Sequence, residues 1–302
     1  MKTSVRGTRR CGLLALLLFL LLPLSAWAQV VVTVNGSVAH ADISLVNGLQ
    51  TYTGEVTIIF DSPVNLTVQT LNLSAMLVSP ADPALTSRLP SGTAIDPAFP
   101  VLITIEPIPV TDRIFASGMQ LNDGSQSSLS FVNAYDMEIH THALVFTPNT
   151  PYRVFKAPIG GNFVDMTADV LNGSVRGRGR SGGFSQFLLV KDTRAETVLG
   201  LPVIALAKLT DLQLRLVAAI LGNVLRLELA GLLNNVQLAL VSLNYAAALV
   251  QIDLFILRVD QEAGTNIPNV WRAQRDLIND AGDLDGLARS LRYSISRLNG
   301  GP

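Results

Sequence analysis

Cysteine is all but missing from this 302-residue chain, and the single one, Cys11, falls within the first 28 residues. Those residues carry a basic head (Lys2, Arg6, Arg9, Arg10), a leucine-dense run from 13 to 22 and the small-x-small sequence Ala26-Trp27-Ala28. This is the layout of a secretory signal peptide cleaved between Ala28 and Gln29. The apolar run is too short to span a membrane. Thr8-Arg9-Arg10 is only a loose match to twin-arginine export, and the leucine-rich core favours the ordinary secretory route. Cys11 precedes the apolar run, so it is not a lipoprotein cysteine and leaves with the signal. A mature chain without cysteine has no disulfide, thiol nucleophile, cysteine-ligated zinc or redox exchange, and must be held together by its core.

Charge is also scarce. Asp, Glu, Lys and Arg make up 15% of the chain, and loss of the signal's four basic residues takes the net charge from −1 to −5. No basic footprint dominates, so no nucleic-acid partner is expected. The common catalytic motifs are missing too. Gly183-Phe184-Ser185-Gln186-Phe187 lacks the closing glycine of a nucleophile elbow. There is no His-Glu-x-x-His and no phosphate-cradling Gly-x-x-x-x-Gly-Lys-Ser/Thr, and Gly177-Arg178-Gly179 sits in a glycine-arginine ribbon rather than a strand-to-helix turn. No catalytic residue, metal ligand or cofactor is assigned. Paired carboxylates such as Asp136 and Glu138 leave glycosidase-type chemistry open, because such acids can lie far apart in sequence.

What is present changes character across residues 182–194. Upstream, short apolar-alternating runs are separated by Asn35-Gly36, Asn47-Gly48, Asn122-Asp123-Gly124, Pro148-Asn149 and Gly160-Gly161, which are turn signals. Val56, Ile58 and Phe60 share one parity, and Val64, Leu66 and Val68 alternate with polar residues. The parity then switches to Leu71, Leu73, Ala75 and Leu77, which predicts a bulge or strand break near Thr70. Residues 80–100 hold five prolines and read as a long loop, either a binding loop or a crossover between sheets. Helix-length periodicity is absent before residue 182, so an antiparallel sandwich is expected rather than βαβ units.

Two polar rows stand out in this half. Asp136, Glu138, His140 and His142 fall on one face of a strand, because side chains alternate with period two. Such a set, with His40, could hold zinc. Equally, it is the wet side of a strand whose Met137, Ile139, Ala143 and Val145 face the core. Arg176, Arg178 and Arg180 alternate with glycine and form a second row. Their forks suit phosphate, sulfate or carboxylate groups, or they guard an edge strand against pairing.

Downstream, leucine and alanine recur at helical spacing. Thr210-Asp211-Leu212-Gln213 reads as a capping box, Gly222-Asn223 as a break, Asn244-Tyr245 as a turn and Gly264 as a helix stop. Residues 236–259 are apolar enough to raise a membrane span, but Gln237, Asn244, Gln251 and Asp253 interrupt them. No transmembrane helix is therefore expected in the mature chain. Pro268 opens an amphipathic helix with Val270, Trp271, Ala273, Leu277 and Ile278. Residues 280–285 mark a turn, and Leu287, Leu291, Ile295 and Leu298 stripe a final helix.

Asn244-Tyr245-Ala246-Ala247-Ala248, then Leu254-Phe255-Ile256, Val259, Gly264 and Ile267, resembles the helical FIMAH modules at the C-terminal ends of secreted bacterial proteins. The match covers residues 208–281 and implies a noncatalytic accessory unit. Phe146-Thr147-Pro148-Asn149-Thr150-Pro151-Tyr152, then Gly161-Asn162-Phe163-Val164-Asp165 and Phe184-Ser185-Gln186-Phe187-Leu188-Leu189, resembles the closing strands of immunoglobulin-like modules in bacterial surface proteins. The whole arrangement is similar to that of secreted Gram-negative bacterial proteins. The expected architecture is a multidomain β-then-α chain: signal peptide (1–28), antiparallel β-sandwich (29–194) and antiparallel helical bundle (195–302). The expected role is noncatalytic interaction at the periplasm or cell surface, with a protein or surface glycan as partner. The alternatives are a metal-dependent or carboxylate-based secreted hydrolase and an envelope protein anchored by its apolar helical region.

Overall fold

The computed structural model describes residues 29–109 and 128–301. The signal peptide and the turn expected at Asn122-Asp123-Gly124 lie outside the described residues. In chain order, β1 (Gln29–Asn35), β2 (Val38–Asn47) and β3 (Gln50–Ile59) precede a one-turn helix, α1 (Val68–Leu71), and β4 (Leu73–Leu77). The short helix α2 (Pro83–Thr86), β5 (Thr93–Ile95) and β6 (Val101–Ile105) follow, then β7 (Ser130–Val132) and β8 (Tyr135–Thr141). Strands β9 (Tyr152–Ala157), β10 (Val164–Asp165), β11 (Thr167–Leu171), β12 (Val175–Ser181) and β13 (Gln186–Asp192) close the β part. Helices α3 (Val203–Ala218), α4 (Asn223–Val241) and α5 (Tyr245–Glu262) are followed by β14 (Val270–Arg272) and α6 (Asp280–Leu298).

The strands form two facing antiparallel sheets. One runs β1-β2-β3-β8-β12-β11, and the other runs β10-β9-β13-β6-β4 with β5 on β13. The alternation read from the sequence is what closes them. Ala39, Ala41, Ile43 and Leu45 of β2, Val56 and Ile58 of β3, and Met137 and Ile139 of β8 are buried against Val154, Phe187, Leu189 and Ile103 of the second sheet. Gly36 and Gly48 occupy the left-handed positions of the first two hairpins, with φ of 58° and 62°, which the Asn-Gly pairs anticipate. The parity switch near Thr70 is made by α1 instead of a bulge. Thr67 and Thr70 cap that turn reciprocally, and Asn72 at φ 49° restarts the chain as β4, so Leu66 and Val68 are not in a strand. Residues 80–100 are a fastened cover. Leu85, Leu89 and Ile95 pack on Phe155 and Leu188, and Arg88 donates to Gly161 O at 2.6 Å, Pro158 O at 3.0 Å and Gln186 Oε1 at 2.8 Å.

The helices share a second core of Leu209, Leu212, Leu229, Leu233, Phe255 and Leu291, among others. Helix α6 lies on β11 and β12, whereas α4 makes its main contacts with α3 and α5. Helix α4 is thus the helix farthest from the sandwich. The break at Gly222 and the stop at Gly264 stand as read, and Asn244 caps α5 by accepting from Ala247 N at 3.1 Å. Three expectations do not hold. Thr210 lies inside α3, where its hydroxyl donates to Leu206 O at 3.0 Å. Residues 280–285 are the first turns of α6, capped by Asn279 through Gly282 N at 2.9 Å. After Pro268 the chain forms β14 in place of a helix, paired antiparallel to β7.

The reason for β14 is aromatic. Trp271 stacks on Phe131 (centroids 5.3 Å apart) and meets Phe184 edge-on at 5.2 Å, in a cluster with Phe60 and Tyr135. Such pairs favour these offset and T-shaped arrangements, and a helical turn would withdraw the indole from them. Burial holds three of the five tyrosines protonated. It raises Tyr135 well above its ordinary value, Tyr152 to about 12 with Asp96 adding to the effect, and Tyr293 to about 12 despite Arg153. A phenol with a raised folded pKa contributes stability below its unfolded value of ~10, and that stability is lost as pH rises through the folded value. Alkaline titration at 295 nm should therefore leave Tyr135, Tyr152 and Tyr293 largely un-ionised at pH 11 in native buffer and release them in denaturant. Five phenols ionising together near pH 10 in the folded protein would contradict this packing.

Candidate functional site

Pairing brings together the two polar rows that lie forty residues apart in sequence. Strands β8 and β12 are neighbours, with Asp136 opposite Arg180, Glu138 opposite Arg178 and His140 opposite Arg176. Strand β12 is therefore an interior strand and not an edge. Its glycines face inward: a Cβ at Gly177 would stand 2.5 Å from Val154 Cγ2, and one at Gly179 would stand 2.7 Å from Met166 O. Alternation with glycine lets the sheets approach, and the arginines take the other face.

On that face Arg178 and Arg180 already have carboxylates, whereas the Arg176 Nε is buried without a hydrogen-bond partner among the described residues. Arg178 Nε lies 2.6 Å from Glu138, and Arg180 lies 3.2 Å from both Asp136 and Asp285. Helices α5 and α6 roof the row and leave a cleft of about 820 Å³ that also holds Asp253, Arg289 and Arg292. Arg292 pairs with Asp253 at 2.6 Å, and Arg289 pairs with Asp285 at 2.7 Å. An incoming anion would have to displace a carboxylate at each of the four arginines that line the cleft, which reads as a charge-matched joint between sheet and helices.

The histidines do not converge. His140 is buried, with Nδ1 3.2 Å from Glu55 Oε2 and Nε2 2.6 Å from Ser174 Oγ. His142 is exposed beyond the end of β8, its ring 4.5 Å from that of His140. His40 falls in the register row of Thr57 and Glu138, two pairs removed from that of His140. No group of three or more His, Cys, Asp or Glu side chains among the described residues is placed to hold a metal. Because β8 ends at Thr141, its inward parity is not carried on, and Val145 is 76% exposed instead of in the core.

Ser174, His140 and Glu55 have the linear order of a nucleophile, its base and an orienting acid, which sequence inspection missed because register alone joins them. The site lacks the next requirement. The amide after the serine, Val175 N–H, would be the natural oxyanion donor but is bound to Leu144 O at 3.3 Å. The three side chains strut the β11–β12 turn to the sheet.

The remaining feature is apolar. On α4, Val224, Leu227, Leu238 and Val241 are 84%, 74%, 69% and 54% exposed. Leu214 and Val217 of α3 and Leu254 and Leu257 of α5, the helices on either side of α4, are exposed as well. Scattered exposed leucines are ordinary; here aliphatic side chains recur along the outward side of α4 and are exposed on both helices beside it. The charged side chains near it are paired within the chain: Glu228 with Arg258 at 2.8 Å, and Arg226 with the carbonyls that end α3, including Val217 O at 2.8 Å. Helix α4 is also long and apolar enough to cross a membrane by length and composition. The model of a family of unknown function, DUF6689, matches residues 15–299, and no curated protein matches the chain.

Proposed function

Since the chain belongs to the DUF6689 family along nearly all of its length, we propose that sandwich and helices act as one exported, noncatalytic interaction protein of the periplasm or cell surface. The exposed aliphatic face centred on α4 carries this reading. A face of leucine and valine without convergent polar groups suits a protein partner better than a glycan, whose hydroxyls need placed donors and acceptors. In this reading the sandwich is an immunoglobulin-like support, and the helices serve as an accessory unit of the FIMAH kind. The basic, leucine-rich first 28 residues direct export.

Tagged mature protein, cross-linked in its native envelope, should recover a defined protein partner, and Leu227→Glu should lose it while leaving the fold intact. Equal recovery by the Leu227→Glu variant would remove the α4 face from the proposal. Saturable hydrolysis that disappears in His140→Ala would replace the noncatalytic reading with an enzymatic one.

A further inference from the structure

We infer that the partner at this face is a second copy of the chain, seated antiparallel along α4 about a two-fold axis level with Leu232 and Leu233. The inference rests on the proposal that the α4 face is an interaction surface, and it names the occupant. Six residues of α4 (Val224, Leu227, Gly231, Asn234, Leu238 and Val241) follow one another at spacings of three and four, and all are exposed. That is the repeat of a helix–helix seam, carried here on the side turned away from the helical core.

The seam is its own complement. Reversed about its midpoint it sets Val224 against Val241, Leu227 against Leu238, and Gly231 against Asn234. A two-fold interface requires one patch to fit itself in this way. The position without a side chain meets the one amide, and the aliphatic pairs match in kind on either side. A parallel arrangement would set glycine against glycine and leave a gap. Open space surrounds the Gly231 α-carbon, so another helix can approach there. Glu228, already bound to Arg258, comes level with Gln237 of the other copy instead of a like charge.

The size fits as well. Nineteen residues of α4 span about 28 Å. With a neighbouring helix ~9 Å away on each side, the face covers roughly 500 Å², or about 1,000 Å² over both copies, which reaches the lower bound of a specific interface. Lipid is the poorer occupant. Asn234 and Gln237 lie exposed in the middle of α4, where hydrocarbon offers them no partner but an aqueous helix seam tolerates a polar position that fixes register.

The purified mature chain should show twice its monomer mass by light scattering at micromolar concentration. Leu238→Glu enters a two-fold interface twice and should weaken the dimer at least about a hundredfold, with an unchanged circular-dichroism melt of the monomer. Because the mature chain is free of cysteine, register can be read directly. Leu227→Cys mixed with Leu238→Cys should form a disulfide-linked heterodimer. Neither variant should cross-link to itself, because those positions would stand about 16 Å apart across the axis, beyond disulfide reach. A monomeric wild type, self-linking of either single variant, or a monomer that floats with phosphatidylglycerol vesicles through this face would each overturn the inference. A monomer that still captures an envelope protein through Leu227 would overturn the second copy while sparing the proposed function.

Discussion

Gly286→Ala should destabilise the protein, although alanine is the better helix former by up to ~1 kcal/mol. Gly282 and Gly286 lie one turn apart on the face of α6 that rests on the end of β12. A Cβ at Gly286 would stand 2.3 Å from Arg180 O and 2.9 Å from Arg180 C; one at Gly282 would stand 2.7 Å from the Gly182 α-carbon. These neighbours are backbone at the end of an interior strand and just beyond it, so neither side can yield as a flexible side chain would. Overpacking of a rigid contact costs ~1–3 kcal/mol, and the displaced helix also carries Asp280 and Asp283, which bind Arg215 at 2.5 and 3.0 Å. A lowered melting temperature, with tyrosines becoming titratable near pH 10, is the expected result. An unchanged or raised melting temperature would mean that helix and strand are not in backbone contact.

The second large effect concerns Lys208 and Asp165. Their side chains are 6% and 5% exposed and meet at 2.7 Å, with Lys208 Nζ also donating to Ser290 O at 3.1 Å. Burial raises the Asp165 carboxyl, but the Lys208 ammonium and the Thr167 N–H outweigh it and hold the group below the usual carboxylate range. For Lys208, burial is the larger influence and lowers the ammonium despite Asp165. Lys208→Met leaves a buried carboxylate alone and should cost roughly 3–5 kcal/mol, on the order of 10 °C in melting temperature. Adding Asp165→Asn removes the orphaned charge while keeping an acceptor for Thr167 N–H, and should recover more than half of that loss. The pH dependence follows. Wild-type stability from a depressed carboxyl is present above its unfolded value of ~4 and is lost as pH falls through the folded one. In Lys208→Met the same carboxyl has lost its partner and binds a proton more readily. The deficit relative to wild type should therefore be greatest at neutral pH and shrink in acid. A double variant no better than Lys208→Met would show that the pair's worth lies in packing and not in charge.

What could be read from the sequence was whatever depends on neighbours along the chain. Alternation fixed the inward faces of β3 and β8. Asn35-Gly36 marked a hairpin, Gly222-Asn223 a helix break and Gly264 a helix stop, because each acts through local backbone geometry. The failures share a distant cause. Trp271 was placed on a helix because nothing nearby reveals Phe131 and Phe184, which draw it into a strand. Gly282 and Gly286 look like turn residues, but their smallness answers to Arg180 and Gly182, a hundred residues away, and their helix begins at an Asn cap with Asp280 and Asp283 in its first turn. The two polar rows of β8 and β12 were visible separately. Only register makes Glu138 and Asp136 the partners of Arg178 and Arg180, and only register joins Ser174 to His140.

The pairing of β14 with β7, and the seat of Trp271 among the sandwich aromatics, has a consequence in time. Synthesis delivers the β part first, yet the aromatic cluster around Phe131 stays open and β7 lacks its partner until residues 270–272 emerge. The surface against which α6 packs waits longer still. Contacts of such wide sequence separation form late and slow the search for the native state. The first-made sheets should therefore remain unfinished, and exposed to aggregation or proteolysis, until the last thirty residues dock on them.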